Sequence, residues 1–283
     1  MHRIKYKNLC DYQNDLTLKD KSGKLMNVYV STSDGYDYML KPFAFLFNKY
    51  WGTNQPVNIL GYRKPPIELP SNFNFISLGD KQISVNHWST DLRNFFKSVE
   101  DENFIYTVED SFLTYPVDED VLSNLLRVNE SYSKLLGRIS LNSDSITKKR
   151  NTIEEISDSN YDIQEYYQGA EYRWSVLWSI WNKEYLLKYL KPNLSPWQAE
   201  VNSIKESKND GYRIMCANER YPIHHCLAKR KNSNTSGDTI DEKILSVELD
   251  FRYNNFTDLS LDDEVIEQMI EENIITKDRR VKV

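Results

Sequence analysis

A short run of large apolar residues followed by two acids constrains the fold of this chain more than any other segment. Residues 104–108 read Phe-Ile-Tyr-Thr-Val, and Glu109 and Asp110 follow directly. The run is short for a buried helix, and its aromatic and β-branched residues favour a strand. Because it is bulky along its whole length, it is typical of a central strand that is buried on both faces of a parallel sheet.

Strand and helix patterns alternate around this run over the first half of the chain. Strands are expected at residues 27–32, 57–62, 73–78 and 135–141, and helices begin near residue 36, at the Ser89-Thr90-Asp91 cap and at Asp118. The alternation predicts an α/β fold with a mostly parallel, Rossmann-like central sheet and helices on both faces. Ligands on such sheets bind beyond the carboxyl ends of the strands. Glu109 and Asp110 therefore lie at the predicted ligand-binding edge.

The second half of the chain has a different sequence pattern. Residues 142–160 are polar and predict a mobile excursion from the core. Residues 174–180 alternate Trp, Val and Ile with Ser, which predicts a half-buried strand. A capping box at Ser195, with Pro196 at the first helical position, places Glu200 in the first two turns of a helix. Further along, we expect a strand at 212–217, a polar loop at 229–238 and an acidic amphipathic helix at 261–275.

Length, charge and cysteine content limit the class of protein. A chain of 283 residues buries about three quarters of its unfolded surface. This favours a single elaborated domain that spans residues 1–283. The net charge of −6 opposes a protein that coats nucleic acid. Three cysteines without a C-x-x-C pair fit a reducing compartment, so we expect a cytoplasmic protein. Apolar runs of signal-peptide or membrane-span length are missing, which predicts no membrane partner.

The two adjacent acids need a partner. An ionised carboxylate buried without one costs several kcal/mol, so Glu109 and Asp110 must face solvent, a cation or a hydrogen-bonding ligand. Mg²⁺ and Mn²⁺ bind with few carboxylates and complete their shell with substrate oxygens such as those of a diphosphate. The alternative is a solvated turn with a helix-capping aspartate.

Three further residues are candidates for the same site. Asp34, in a turn with Gly35, can accept hydrogen bonds from a base or ribose, or can simply cap the turn. Arg173 can balance the charge of a diphosphate, or can be an ordinary surface residue. Glu200, next to an aromatic residue, can act as a general base on a hydroxyl acceptor, or can complement the helix dipole.

Several common motifs are missing from the sequence. It contains no G-x-S-x-G, no Walker A and no G-x-G-x-x-G, which removes the most frequent hydrolase, phosphate-loop and dinucleotide interpretations. Cys216, His224, His225 and Cys226 do not have the spacing of a zinc site, so ordinary packing roles are favoured for them.

The order of these segments resembles viral and bacterial glycosyltransferases of the GT-A type. The likeness covers residues 27–205 and includes the strand before Asp34, the strand ending in Glu109-Asp110, the Tyr-Arg-Trp-Ser run around Arg173, and Trp-Gln-Ala-Glu ending at Glu200. It implies a catalytic core at 27–205 and a C-terminal extension at 206–283 that carries the acidic helix.

The resemblance also implies roles for the candidate residues. Glu109 and Asp110 would bind a divalent metal, Mn²⁺ or Mg²⁺, together with a nucleoside diphosphate sugar. Asp34 would contact the nucleoside and Arg173 would assist charge neutralisation. Asp110 and Glu200 would be the catalytic residues, with Glu200 deprotonating a hydroxyl acceptor if the reaction inverts the anomeric centre.

Two alternatives stay open at this point. The acceptor can be hydroxymethylated phage DNA instead of a glycan, since the Lys, Asn, Ile and Tyr content suggests a viral or low-GC source and residues 229–231 are basic, although the acidic net charge opposes this. The chain can also be a non-catalytic module that binds nucleotide sugars or glycans by stacking, given its 19 tyrosines and 6 tryptophans.

Overall fold

The apolar run at 104–108 forms a strand in the middle of a large mixed sheet. The computed structural model describes residues 16–19, 23–131, 135–142, 150–155, 161–227, 229–230, 246–250, 261–277 and 280–282. Its helices are α1 (Leu40–Tyr50), α2 (Trp88–Ser98), α3 (Glu119–Ser131), α4 (Lys183–Tyr189), α5 (Pro196–Glu206) and α6 (Asp263–Glu271). Its strands are β1 (Val28–Ser31), β2 (Val57–Gly61), β3 (Phe73–Ser77), β4 (Asn103–Val108), β5 (Ser111–Leu113), β6 (Leu136–Ser140), β7 (Arg150–Glu155), β8 (Asp162–Tyr166), β9 (Ser179–Asn182), β10 (Arg213–Ala217), β11 (His225–Leu227), β12 (Lys229–Arg230), β13 (Ser246–Asp250) and β14 (Arg280–Lys282).

The central sheet confirms the predicted α/β class. Among the described strands its order is β3-β2-β1-β4-β9-β6-β10-β8-β7. Strands β3, β2, β1 and β4 are parallel, β9 runs antiparallel to both β4 and β6, and β6 and β10 are parallel. Strands β8 and β7 add two antiparallel pairings at the far edge. The sheet is therefore parallel in one half and mixed in the other.

The order of the parallel strands creates a crevice between β1 and β4. From β1 the chain moves outward through β2 and β3, and then returns to place β4 on the other side of β1. Such a reversal of direction opens a crevice at the carboxyl ends of the two central strands. Ser31 is paired with Val108, so β1 and β4 end at the same level.

Helices cover both faces of the sheet, as the alternation of side chains along β4 requires. Ile105 packs in a core with α1, α3 and α6. Phe104 and Tyr106 point to the other face and pack in a core with α2, α4 and α5. The predicted acidic amphipathic helix is confirmed as α6, whose Val265 and Met269 are buried. No helix in the described ranges combines the length and apolar character needed to cross a membrane.

Two predicted helix starts were wrong by a few residues. The first helix begins at Leu40, after a 3₁₀ turn at Asp37–Met39, instead of near residue 36. Helix α2 begins at Trp88 without a side-chain cap. The hydroxyl groups of Ser89 and Thr90 instead accept hydrogen bonds from backbone N–H groups of the turn that precedes α5.

The predicted strand at 174–180 was also wrong over most of its length. Residues 174–178 are irregular, and β9 begins only at Ser179. The Trp174 and Trp178 side chains are buried in cores on opposite faces of the sheet, so an irregular segment produced the alternating pattern. Part of the predicted mobile excursion at 142–160 is the edge strand β7, and residues 143–149 and 156–160 lie outside the described part of the chain.

Gly137 marks a close approach between β6 and α4 and supports a first prediction. A Cβ at this position would lie 2.7 Å from Cγ of the buried Tyr185 ring. We therefore expect Gly137→Ala to lower the free energy of unfolding by about 1–3 kcal/mol, the usual effect of overpacking. Gly169→Ala is the matched control, because a Cβ there meets nothing within 4 Å. Urea denaturation of both variants measures the difference, and equal midpoints would contradict the close approach.

Candidate active site

Glu109 and Asp110 lie side by side at the crevice between β1 and β4. Strand β4 ends at Val108, and the two acids form the turn that leads into β5. The backbone N–H of Glu109 donates to the Ser31 carbonyl over 3.2 Å, which fixes the turn against the end of β1. Because the chain has already left the strand, the two side chains are not forced to opposite faces. Both residues are half-buried and keep contact with solvent.

No positive charge in the described residues offsets these two acids. Burial, and then repulsion from Asp110, raise the pKa of Glu109 well above its ordinary value. Burial also raises the pKa of Asp110 to about 6, although its own backbone N–H opposes this, and the negative charge of Glu200 raises it further. Each carboxylate interacts with its own backbone N–H. Neither has another hydrogen-bond or ion-pair partner in the described residues. The site is therefore prepared to receive a positive charge.

Glu200 approaches the same crevice from α5. The predicted capping box is present: Ser195 Oγ accepts from the Gln198 N–H, and Gln198 Oε1 accepts from the Ser195 N–H. Glu200 Oε1 accepts a hydrogen bond of 2.9 Å from the backbone N–H of Val176, which orients the carboxylate. Since Glu200 contributes to the raised pKa of Asp110, the two carboxylates lie within electrostatic range of each other. The structure thus brings together three of the predicted site residues.

A buried tyrosine that the sequence did not single out lies beneath these acids. The Tyr106 hydroxyl is 2.7 Å from Ser31 Oγ, which joins β4 to β1 just below the crevice. Burial raises the pKa of Tyr106, and the negative charges of Glu109 and Glu200 raise it further. Tyr106 is therefore a neutral hydroxyl group close to both carboxylates. Its place in the run 104–108 was the only sequence signal for this position.

Asp34 lies at the same edge of the sheet, in the turn after β1. Its Oδ1 accepts from the Arg63 backbone N–H and its Oδ2 from Arg63 Nε, both over 3.0 Å. The Arg63 side chain is 74% exposed. Sequence reasoning missed Arg63, although a basic residue two positions after the carboxyl end of β2 was a usable signal. Asp34, which is 19% exposed, and the exposed Arg63 together form a hydrogen-bonded pair beside the crevice.

Arg173 belongs to a buried hydrogen-bond network. Its side chain is fully buried and pairs with Asp210 over 2.8 Å. It also donates to the carbonyl oxygens of Ser207 over 3.0 Å and Tyr212 over 2.6 Å. The charge and hydrogen-bonding capacity of this guanidinium are already used inside the protein. We therefore do not retain the predicted diphosphate contact for Arg173.

The carboxylates suit a metal that is shared with a substrate. Among the described residues, no group of three or more His, Cys, Asp and Glu side chains is arranged to hold a metal by itself. Glu109 and Asp110 provide two adjacent carboxylates without other partners, and Mg²⁺ or Mn²⁺ sites of this kind are completed by phosphate oxygens and water. The donor set fits a divalent metal that binds with a diphosphate.

A groove of about 440 Å³ elsewhere on the molecule contains none of these residues. It lies between α1, α6 and the loop at residues 68–70. The two lysines in its wall are already bound within the protein, Lys41 to the Asn273 carbonyl and Lys49 to the Gln268 side chain. The candidate active site is therefore the open crevice at the sheet edge.

Comparison with known proteins does not identify the chain. No protein-family model matches it, and no curated protein matches its sequence. A functional assignment therefore depends on the geometry and charge of the crevice.

Proposed function

We propose that this chain is a nucleotide-sugar-dependent glycosyltransferase with a GT-A-like fold, which transfers a sugar from a nucleoside diphosphate sugar to a hydroxyl acceptor. The observation that supports this most directly is the meeting of Glu109, Asp110 and Glu200 at the crevice where the strand order reverses. Two of these acids have raised pKa values and no cation partner in the described residues, and the third is oriented by a backbone N–H.

The donor diphosphate is proposed to bind at the two unpartnered acids. Glu109 and Asp110 would hold Mn²⁺ or Mg²⁺, and the metal would neutralise the diphosphate as it leaves. Binding a cation offsets the mutual repulsion that raises the pKa of Glu109. A nucleoside diphosphate would also meet Asp34 and the exposed guanidinium of Arg63 at the end of the neighbouring strands. In this proposal Arg63 takes the charge-neutralising role first suggested for Arg173.

The acceptor hydroxyl is proposed to approach from the side of α5. Glu200 is held by the Val176 N–H, so its carboxylate does not have to reorient before it accepts a proton. In an inverting reaction, Glu200 removes the hydroxyl proton as the acceptor oxygen attacks the anomeric carbon, and the diphosphate departs with the electron pair of the broken bond. Such a displacement requires an oriented base near the diphosphate site.

A panel of donors tests the proposal directly. We expect calorimetry with UDP-sugars and GDP-sugars to show binding of one nucleotide class that is stronger with Mn²⁺ than with EDTA. Slow hydrolysis of the same donor in the absence of an acceptor should release free sugar. Binding without any turnover would favour a non-catalytic module. A chain that binds no nucleotide sugar under either condition would contradict the proposal.

A further inference from the structure

The side-chain hydroxyl groups of Ser31 and Tyr106 form a buried pair at the candidate active site. Ser31 is the last residue of β1, and its Oγ lies 2.7 Å from the Tyr106 hydroxyl on β4. Ser31 is 2% exposed and Tyr106 is 1% exposed. The Tyr106 ring packs edge-on against Phe96, with ring centroids 5.8 Å apart, which restrains the position of its hydroxyl. We call these two groups the hydroxyl pair.

The hydroxyl pair has one proton that it does not use. Two hydroxyl groups carry two protons, and the hydrogen bond between them takes one. Burial raises the pKa of Tyr106, so both groups stay protonated at neutral pH. In the described part of the chain neither oxygen has another hydrogen-bond partner. One buried O–H group therefore remains to donate to a further acceptor, and leaving such a donor unpaired costs free energy.

Glu109 is the acceptor that its surroundings favour. Its backbone N–H donates to the carbonyl of Ser31, so its main chain is fixed to a residue of the hydroxyl pair. The negative charges of Glu109 and Glu200 both act on the Tyr106 hydroxyl. The Glu200 carboxylate is already held by the Val176 N–H, whereas the Glu109 side chain has no partner beyond its own backbone N–H in the described residues.

We propose that the hydroxyl pair positions Glu109 for metal binding, by donating its unused proton to one carboxylate oxygen and leaving the other oxygen for the divalent metal. This inference rests on the proposed glycosyltransferase function and adds Ser31 and Tyr106 as positioning residues, which act through Glu109. Carboxylates that bind a metal are commonly hydrogen-bonded by neighbouring groups, and loss of such a neighbour typically costs about 10- to 100-fold in metal affinity or activity.

The test compares Tyr106→Phe with a matched control, Tyr29→Phe. Tyr106→Phe removes one hydroxyl of the pair and keeps the aromatic ring in its core. Tyr29 lies opposite Tyr106 on β1 and packs in the same core. Its hydroxyl donates over 2.6 Å to Asp101, which precedes β4 at the end of the strand away from the crevice. Each variant therefore loses a hydrogen-bonded tyrosine hydroxyl from the same two strands, but Tyr29→Phe leaves the hydroxyl pair intact.

Calorimetry with Mn²⁺, alone and in the presence of UDP or GDP, measures metal affinity. We expect Tyr106→Phe to weaken Mn²⁺ binding by about tenfold or more, and Tyr29→Phe to bind Mn²⁺ as the wild type does. Donor hydrolysis is measured over a range of Mn²⁺ concentrations. Excess Mn²⁺ should restore the hydrolysis rate of Tyr106→Phe, because its defect lies in metal affinity. A general loosening of the sheet would not be corrected by added metal.

Variants of Ser31 test the other half of the hydroxyl pair. Ser31→Thr keeps the hydroxyl and should retain wild-type Mn²⁺ affinity, whereas Ser31→Ala should weaken it. Tyr106→Phe combined with Ser31→Ala should lose no more affinity than Tyr106→Phe alone, since two groups that act through one hydrogen bond are not additive. Circular dichroism checks the fold of each variant. If Tyr106→Phe does not fold, the comparison of Ser31→Ala with Ser31→Thr decides the question.

The possible outcomes separate this inference from the proposed function. Equal Mn²⁺ affinity in the wild type and Tyr106→Phe, or an equal loss in Tyr29→Phe, overturns the role of the hydroxyl pair and leaves the glycosyltransferase proposal intact. A wild type that binds no Mn²⁺, even with UDP or GDP, also overturns it. Weakened Mn²⁺ binding in Tyr106→Phe, with a wild type that neither binds nor hydrolyses any nucleotide sugar, supports the hydroxyl pair and overturns the proposed function.

Discussion

Replacing Asp110 with Asn is expected to reduce sugar transfer by at least about 100-fold while making the unliganded protein more stable at neutral pH. The loss of activity follows because the amide cannot neutralise a metal or a developing charge at the diphosphate, and removal of one electrostatic contact of this type commonly costs a factor of 10² to 10³. The gain in stability follows from the raised pKa of the native carboxyl group.

The sign of the stability effect comes from proton binding. The pKa of Asp110 is about 6 in the folded protein and lies near 4 in an unfolded chain. Between these values the folded protein binds more protons, so the stability of the wild type falls as the pH rises from about 4 to about 6. Above pH 6 the penalty is complete. After allowance for the solvent contact of Asp110 it is on the order of 2 kcal/mol, since a tenfold change in proton affinity is worth about 1.4 kcal/mol.

Thermal denaturation at two pH values measures this effect. At pH 8, Asp110→Asn should melt several degrees above the wild type, and near pH 4 the difference should shrink. The control is Glu102→Gln, which changes an exposed carboxylate at the other end of the same strand. We expect this control to have wild-type activity and stability. Full transfer activity in Asp110→Asn would remove that residue from the mechanism, and a lower melting temperature at pH 8 would contradict the electrostatic description of the crevice.

Replacing Arg173 with Met is expected to produce the largest loss of stability, about 3–5 kcal/mol, because it leaves a buried aspartate without its cation. Asp210 is only 3% exposed, and its second oxygen accepts from the Tyr189 hydroxyl over 2.8 Å. The guanidinium also satisfies carbonyl oxygens in two separate segments of the chain. Its removal therefore leaves several buried acceptors unpaired, each of which costs free energy.

Arg63→Met separates structural roles from donor binding. Because the Arg63 side chain is largely exposed, this variant should unfold within about 0.5 kcal/mol of the wild type and bind the nucleotide sugar more weakly. In contrast, Arg173→Met together with Asp210→Leu should recover part of the lost stability, since the uncompensated charge is removed. Urea denaturation and calorimetry distinguish the variants. A stable Arg173→Met protein that binds the donor weakly would instead support the role in donor binding that the sequence suggested for Arg173.

Sequence patterns identified the parallel half of the fold because its strands and helix caps depend on residues that are close together in the sequence. The run at 104–108 is buried on both sides and forms β4, as its continuous bulk predicted. The Ser195 box caps α5 as predicted, since both of its hydrogen bonds join residues three positions apart. The meeting of Asp110 with Glu200 depends on how α5 packs on the sheet, and only the resemblance to a family suggested it in advance.

Other features of the fold could not be predicted from neighbouring residues in the sequence. The partner of Arg173 is Asp210, 37 residues further along the chain, so an isolated basic residue looked like a surface residue. Edge strand β7 pairs with only one neighbour in the described sheet, and such a strand does not require the apolar alternation that reveals central strands. The tryptophans at 174 and 178 alternate in the sequence because an irregular segment inserts them into cores on opposite faces of the sheet.

The hydrogen bond from the Val176 N–H to Glu200 has a consequence for the order in which function is lost on unfolding. Glu109 and Asp110 belong to the parallel half, whereas Glu200 reaches them only while α5 is docked against that half. Opening of α5 would separate the base from the donor site without disrupting β1 to β4. With urea, transfer should therefore disappear before donor binding does, and amide exchange at Val176 should accelerate together with the loss of transfer.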